Sequence, residues 1–142
     1  MSQLPACAAR SLRGMVGTIV VDVANVMGAR ADGWWKDRAG AAARLCAEVA
    51  ELARRTQERY YVLVLEGQAR AAASSDLALN LIDSGDFATL VLARGSGDDT
   101  IARIAAELGK CCTVVTADRE LRRRCARAGA AVTGPRWLLA ML

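Results

Sequence analysis

The run GTIVVD at residues 17–22, read together with RGSGDDTIARIAAEL at 94–108, decides the fold. In the first, Ile19, Val20 and Val21 are consecutive, β-branched and uncharged, which suits a strand buried on both faces, and the run closes on Asp22. In the second, a glycine-rich turn feeds Ile101, Ile104, Ala105 and Leu108, an apolar helical stripe stopped by Gly109.

Working outward, the same alternation repeats. YYVLVL at 60–65, ATLVLA at 88–93 and CTVV at 112–115 read as three more strands, and 130–133 as a short fifth. Between the first two, residues 39–57 carry Ala42, Leu45, Val49 and Leu52 on one face. The pairs Arg44–Glu48 and Glu51–Arg55 lie four apart on the other. The stretch 23–38 (VANVMGARADGWWKDR) reads as a glycine-containing loop with an exposed Trp34–Trp35 pair. Residues 70–83 permit a helix of poor period, 119–128 form an arginine-rich helix ending at Gly129, and Pro135 starts a last apolar helix containing Trp137. Such alternation predicts an α/β protein with a three-layer, doubly wound parallel sheet flanked by helices.

With 142 residues there is room for one domain with a core, here rich in Ala, Val, Leu and Ile, since aromatic residues supply only 4% of the chain. We expect a flexible N-terminal extension at 1–14 and the folded domain at 15–142, with Met15 as a candidate start. No apolar run reaches the roughly 20 residues of a membrane helix, and the first residues do not form a secretory signal, so the expected location is cytoplasmic. The five cysteines contain no CxxC pair and fit reduced, buried thiols. The net charge of +4 is compatible with a phosphate-rich partner and with an ordinary surface alike.

The chain has no histidine. This removes Ser-His-Asp triads, Cys-His pairs, histidine-based zinc sites and histidine acid–base cleavage of RNA. Hydrolysis here would require carboxylates with a bound ion, and hard oxygen donors favour magnesium or manganese.

The carboxyl ends of parallel strands are where ligands collect in open α/β sheets. Asp22 follows the first strand, Glu66 the second, Asp98 and Asp99 the turn after the third, and Asp118 the fourth. Asp86 precedes its strand and belongs to the opposite edge. Two like charges about 4 Å apart repel by roughly 4 kcal/mol at an effective dielectric near 20, so a divalent cation would relieve such a group. It would also activate water and offset charge on a phosphate. Asn25, three residues past Asp22, can orient a carboxylate or a water through its amide. Each acid also has a plainer reading: Ser96 to Asp99 matches a helix capping box, Asp118 can cap the next helix, and Glu66 can be a solvated loop residue.

Taken together, VVDVANVMG at 20–28, VLVLEG at 62–67, SGDDTIARIA at 96–105 and TVVTADREL at 113–121 resemble PIN-like nucleases, specifically the NYN branch. Each motif is short; the four in order are specific and cover most of the chain from Gly17 onward. The resemblance implies a metal-dependent endoribonuclease fold with strand order 3-2-1-4-5. It maps the acid after strand one onto Asp22 with its partner amide Asn25, the helix-start acid onto Asp98 with Asp99 beside it, and the T-x-D acid onto Asp118. Glu66 matches less closely, because the acid there varies in type and position. Val23 stands where this branch commonly has glycine.

The expected activity is therefore Mg2+- or Mn2+-dependent endoribonuclease cleavage, with Asp22, Asp98, Asp118 and Glu66 as metal ligands. Asn25 and Asp99 join Asp22, Asp98 and Asp118 as catalytic candidates. For substrate contact the candidates are Trp34, stacking on an unpaired base, Lys36 and Arg38 beside it, and Arg119 and Arg123 on the arginine-rich helix, where Arg127 continues the stripe. The plainer readings are a loop anchored by its tryptophans and a solvated arginine face. Single-stranded RNA is the expected partner; a homodimer and an antitoxin-like protein partner are compatible with the sequence. The alternatives are a catalytically inactive PIN-like RNA- or protein-binding module, motivated by Val23, and a small-molecule phosphohydrolase.

Overall fold

The computed structural model describes residues 17–74 and 87–142. The N-terminal extension at 1–14, Met15, Asp86 and most of the poorly periodic 70–83 stretch lie outside the described residues. In the described part, strand β1 (Thr18–Asp22) is followed by helix α1 (Val23–Gly28), a 3-10 turn (Trp34–Lys36), α2 (Arg38–Thr56), β2 (Tyr60–Leu65) and a 3-10 segment (Gly67–Ser74). Then come β3 (Ala88–Leu92), α3 (Gly97–Leu108), a 3-10 turn (Gly109–Cys111), β4 (Cys112–Val115), α4 (Arg119–Arg127), β5 (Ala131–Thr133) and α5 (Pro135–Leu139).

The strands form one sheet in the order β3-β2-β1-β4-β5, and every pairing is parallel. The β-strand period of two divides each apolar run between the two faces of the sheet. Ile19, Val21, Tyr61, Leu63 and Leu65 pack on one side with Val26 and Met27 of α1, Leu45 and Val49 of α2 and Leu138 of α5. Val20, Tyr60, Val62 and Val64 pack on the other with Ile101 and Ile104 of α3 and Leu121 and Cys125 of α4. A continuous apolar run is thus what a strand covered on both faces requires, and β1 and β2 are buried at every position.

The 23–38 stretch is not simply a loop, as the sequence reading had it. Val23–Gly28 is helical, begun by Asp22, whose side chain accepts from the Asn25 amide at its N-terminus. Val23, Val26 and Met27 are its buried face, and burying each such side chain stabilises the fold by about 1.5–3 kcal/mol. That is how so short a helix persists against its own poor nucleation. Val23 lies wholly in this core, so its side chain does not narrow the rim of the sheet. Of the tryptophan pair read as exposed, Trp34 is half-buried against the same core and Trp35 alone is largely open, at 59%. Ser96 precedes α3 but makes no capping bond through its side chain, contrary to the capping-box reading.

At the far end of α3, Gly109 adopts φ 52° and ends the helix, as its position in the sequence predicts. Cys111 lies in the following turn and is exposed, so the adjacent cysteines do not share a strand. Cys46, Cys112 and Cys125 are free and buried. Burial pushes the thiols of Cys46 and Cys112 up to about 12 and about 11, which keeps both protonated at neutral pH. No described helix is long and apolar enough to cross a membrane.

Candidate functional site

Because β1 is the central strand, its carboxyl end looks out between β2 and β4. Asp22 occupies that end and is only 6% exposed. Two donors hold it. Thr116, the residue after β4, donates its hydroxyl to Oδ2 at 2.9 Å, and the Asn25 amide donates to Oδ1 at 3.4 Å. The Thr116 hydroxyl oxygen also accepts from the Asp118 amide at 3.2 Å. The Asn25 side-chain oxygen accepts from the Ala117 amide at 2.8 Å. One short network thus fastens the loop after β4 to the end of β1.

The structure places the other acids around this point. Glu66, just past β2, accepts from the Gly97 amide through Oε2 at 2.7 Å, linking the β2 end to the start of α3. The approach is so close that a Cβ on residue 97 would lie 2.8 Å from the Glu66 carboxyl carbon, so a side chain there would displace the carboxylate. Asp98 follows in the first turn of α3 and is half-buried. Asp118 caps α4, its Oδ1 accepting from the Leu121 amide at 2.9 Å.

Electrostatics couples these carboxylates. Burial, first, raises the Asp22 carboxyl to about 6; the bonds from Thr116 and Asn25 oppose the rise, and the charges of Asp98 and Glu66 add to it. Asp98 is raised by burial and then by Asp118 and Glu66, against the pull of Arg124. Asp22 therefore feels the charges of Asp98 and Glu66, and Asp98 those of Asp118, Glu66 and Asp99. Asp99 faces solvent and Arg124 while still adding its charge to Asp98. It is 73% exposed on its side chain and pairs with Arg124 of α4 at 3.0 Å.

The candidate substrate contacts fall in two places. Trp34 and Arg38 line a cleft of about 440 Å³ beside Glu66, together with Ala24, Met27, Ala69 and Gly95. The Arg38 guanidinium lies over the Trp34 ring, 5.6 Å from its centroid. Lys36 is exposed and is not part of this lining. Arg119, Arg123 and Arg127 are exposed on α4, with Arg123 paired to Glu120 at 2.9 Å. Sequence reasoning missed two contributors, Thr116 and Arg124. Thr116 was visible only as the first letter of a T-x-D motif, and Arg124 carried no signal separating it from its arginine neighbours.

A divalent cation is the group that the resemblance implies. The donor chemistry fits: hard carboxylate oxygens, one of them on a buried acid that its surroundings leave reluctant to ionise. Among the described residues, however, no three His, Cys, Asp or Glu side chains converge closely enough to hold an ion in their present conformations. The reason is local, since Glu66, Asp118 and Asp99 are each turned onto a neighbouring donor.

No family model matches the sequence, and no curated protein sequence matches it. Among solved structures it is similar to Rae1 (YacP) from Bacillus subtilis, in its W164L mutant, with a TM-score of 0.66. The alignment covers 87% of this chain and 73% of that one at 18% identity. At that identity the likeness is one of fold: a five-stranded parallel sheet of order 3-2-1-4-5 between helices.

Proposed function

We propose that this PIN-like chain is an NYN-type endoribonuclease that hydrolyses phosphodiester bonds of single-stranded RNA with Mg2+ or Mn2+ at the rim formed by Asp22, Asp98 and Asp118. The observation that carries the reading is the raised Asp22 carboxyl, buried at the end of the central strand within electrostatic reach of Glu66 and Asp98. Burying an acid among acids costs stability, and such a cost is common where a group serves chemistry.

Asp22, Asp98 and Asp118 would hold the ion, with Glu66 at the margin. When bound, the ion supplies a Lewis acid that offsets charge developing on the phosphate and makes water more acidic. The chain's own residues do the rest. Thr116 fixes the rotamer of Asp22 from one side, and the Asn25 amide fixes it from the other. The Asn25 side-chain oxygen is committed to Ala117, so its NH2 group is what remains to donate toward a water or a phosphate oxygen. Arg124 sits beside Asp98 and Asp99 and tempers the negative field that an incoming phosphate meets. Arg119, Arg123 and Lys36 contact backbone phosphates further out. The reaction takes water as nucleophile and leaves a 5′-phosphate.

Incubating the purified chain with single-stranded RNA and Mn2+ tests this. Cleavage that stops with a chelator and in Asp22→Asn is the expected result; cleavage that persists in either condition overturns it. The alternative, an inactive RNA- or protein-binding module, draws on the absence of three converged acids among the described residues. It predicts RNA binding with no turnover under any divalent ion.

A further inference from the structure

We infer that the cleft bounded by Trp34, Arg38 and Glu66 is a base-reading pocket that takes the guanine of the nucleotide beside the scissile phosphate. The inference deepens the ribonuclease reading and rests on it for the word scissile. The cleft itself rests on its lining.

Its volume of about 440 Å³ falls within the roughly 300–1,000 Å³ usual for small-ligand sites. Ala24, Met27 and Ala69 make it apolar, as the face of a base requires. Trp34 and the Arg38 guanidinium laid over it present flat π surfaces, the kind on which an unpaired base stacks. Among the described residues that line the cleft, only Arg38 and Glu66 are charged.

Glu66 supplies the selectivity. An ionised carboxylate only accepts hydrogen bonds. Guanine is the one common base that offers two adjacent donors, N1–H and the N2 amino group, on a single edge. Adenine and cytosine set a ring-nitrogen acceptor beside their amino group, and uracil flanks its one N–H with two carbonyls; each would turn a lone pair toward Glu66. The carboxylate is also held for this task. Its Oε2 accepts from the Gly97 amide at 2.7 Å, which orients it. This assigns Glu66 to the substrate's base in preference to the ion. Glu66 follows β2, the neighbour of the strand that ends at Asp22, and bonds to Gly97 beside Asp98, so the base it holds lies at the same rim as these acids.

The test is calorimetric titration of the full chain with 5′-GMP, 5′-IMP and ribose 5-phosphate in the presence of EDTA. IMP lacks only the N2 amino group. GMP should saturate, IMP should bind about tenfold more weakly, and ribose 5-phosphate should give no saturable signal. Glu66→Gln should bring GMP to the level of IMP. Arg38→Ala, at an exposed position, should weaken both. Ribose 5-phosphate binding as well as GMP, or a GMP-to-IMP ratio unmoved by Glu66→Gln, overturns the pocket. The titration uses no metal, so the two readings fail separately. Guanine binding by a chain that cleaves no RNA removes the nuclease and retains the pocket, whereas metal-dependent cleavage indifferent to guanine does the reverse.

Discussion

Thr116 donates its hydroxyl to the Asp22 carboxylate across 94 residues of sequence, at 2.9 Å, and both side chains are buried. Strand order makes this possible. β1 and β4 are neighbours, with Val21 beside Val115, so the residues that follow them face each other at the rim.

Removing this donor tests the network. In Thr116→Val the carboxylate loses a charge-assisted hydrogen bond, worth about 1.5–3 kcal/mol when ionised. The Asp118 amide loses its acceptor as well. Melting should fall by several degrees at neutral pH, and the Asp22 carboxyl should rise above about 6. Thr116→Ser restores the hydroxyl and should recover both. A valine variant whose carboxyl titrates as in the wild type would remove the hydrogen bond from the account.

Stability should also depend on pH through Asp22. Its folded value is about 6 against an ordinary 3.8, so between these values the folded chain keeps a proton that the unfolded chain has lost. The contribution of this group is therefore best below about 3.8, declines as pH rises through that window and is level above about 6. Two pKa units correspond to about 3 kcal/mol. Without divalent ions, Asp22→Asn should accordingly melt higher at pH 7 by up to about that amount, while losing metal-dependent cleavage. Urea titrations of both chains at pH 4 and pH 7 read the difference. A destabilised Asp22→Asn variant at pH 7 would mean that the burial cost is compensated.

Gly97 makes a third prediction. Alanine there would push the Glu66 carboxyl group off the Gly97 amide, since the new Cβ would lie 2.8 Å from its carboxyl carbon. Glu66 can move, because the clash is with the end of a flexible side chain. The expected loss is about 1.5–3 kcal/mol, that of one hydrogen bond to a charged acceptor. Thermal melting of Gly97→Ala reads it. A melting temperature equal to that of the wild type would show that the contact is not held in solution.

Much of this was legible in the sequence, and what was not has a physical cause. The strands announced themselves because burial on both faces leaves no room for polar positions, so YYVLVL and CTVV could be bounded almost to the residue. α1 was hidden. It has six residues and ends in glycine, and its first cap is the same Asp22 that looked reserved for chemistry. Asp118 likewise does two things, since the cap of α4 that counted as its plain reading is present beside its charge coupling to Asp98. For Glu66 the plain reading of a solvated loop residue does not hold, because it is bonded across to α3. The bonds of Asn25 to Ala117 and of Thr116 to Asp22 join residues more than ninety apart. Only the strand order brings them together, and local pattern does not carry that order.

Arg124 tests whether the rim holds an ion at all. Its guanidinium pairs with Asp99 at 3.0 Å and draws the Asp98 carboxyl downward. The pair is partly open to solvent, with side-chain exposures of 36% and 73%, so it contributes at most about 1 kcal/mol to stability. Arg124→Gln should leave melting nearly unchanged. Its electrostatic effect should be larger, because a positive charge beside Asp98 opposes the arrival of a cation. If Asp98 helps hold the ion, the glutamine variant should bind Mn2+ several-fold more tightly, and the gain should shrink as salt is added. Paramagnetic relaxation of water protons measures Mn2+ affinity without any need for turnover. An affinity indifferent to residue 124 would place the ion away from Asp98, and with it the catalytic role assigned to the start of α3.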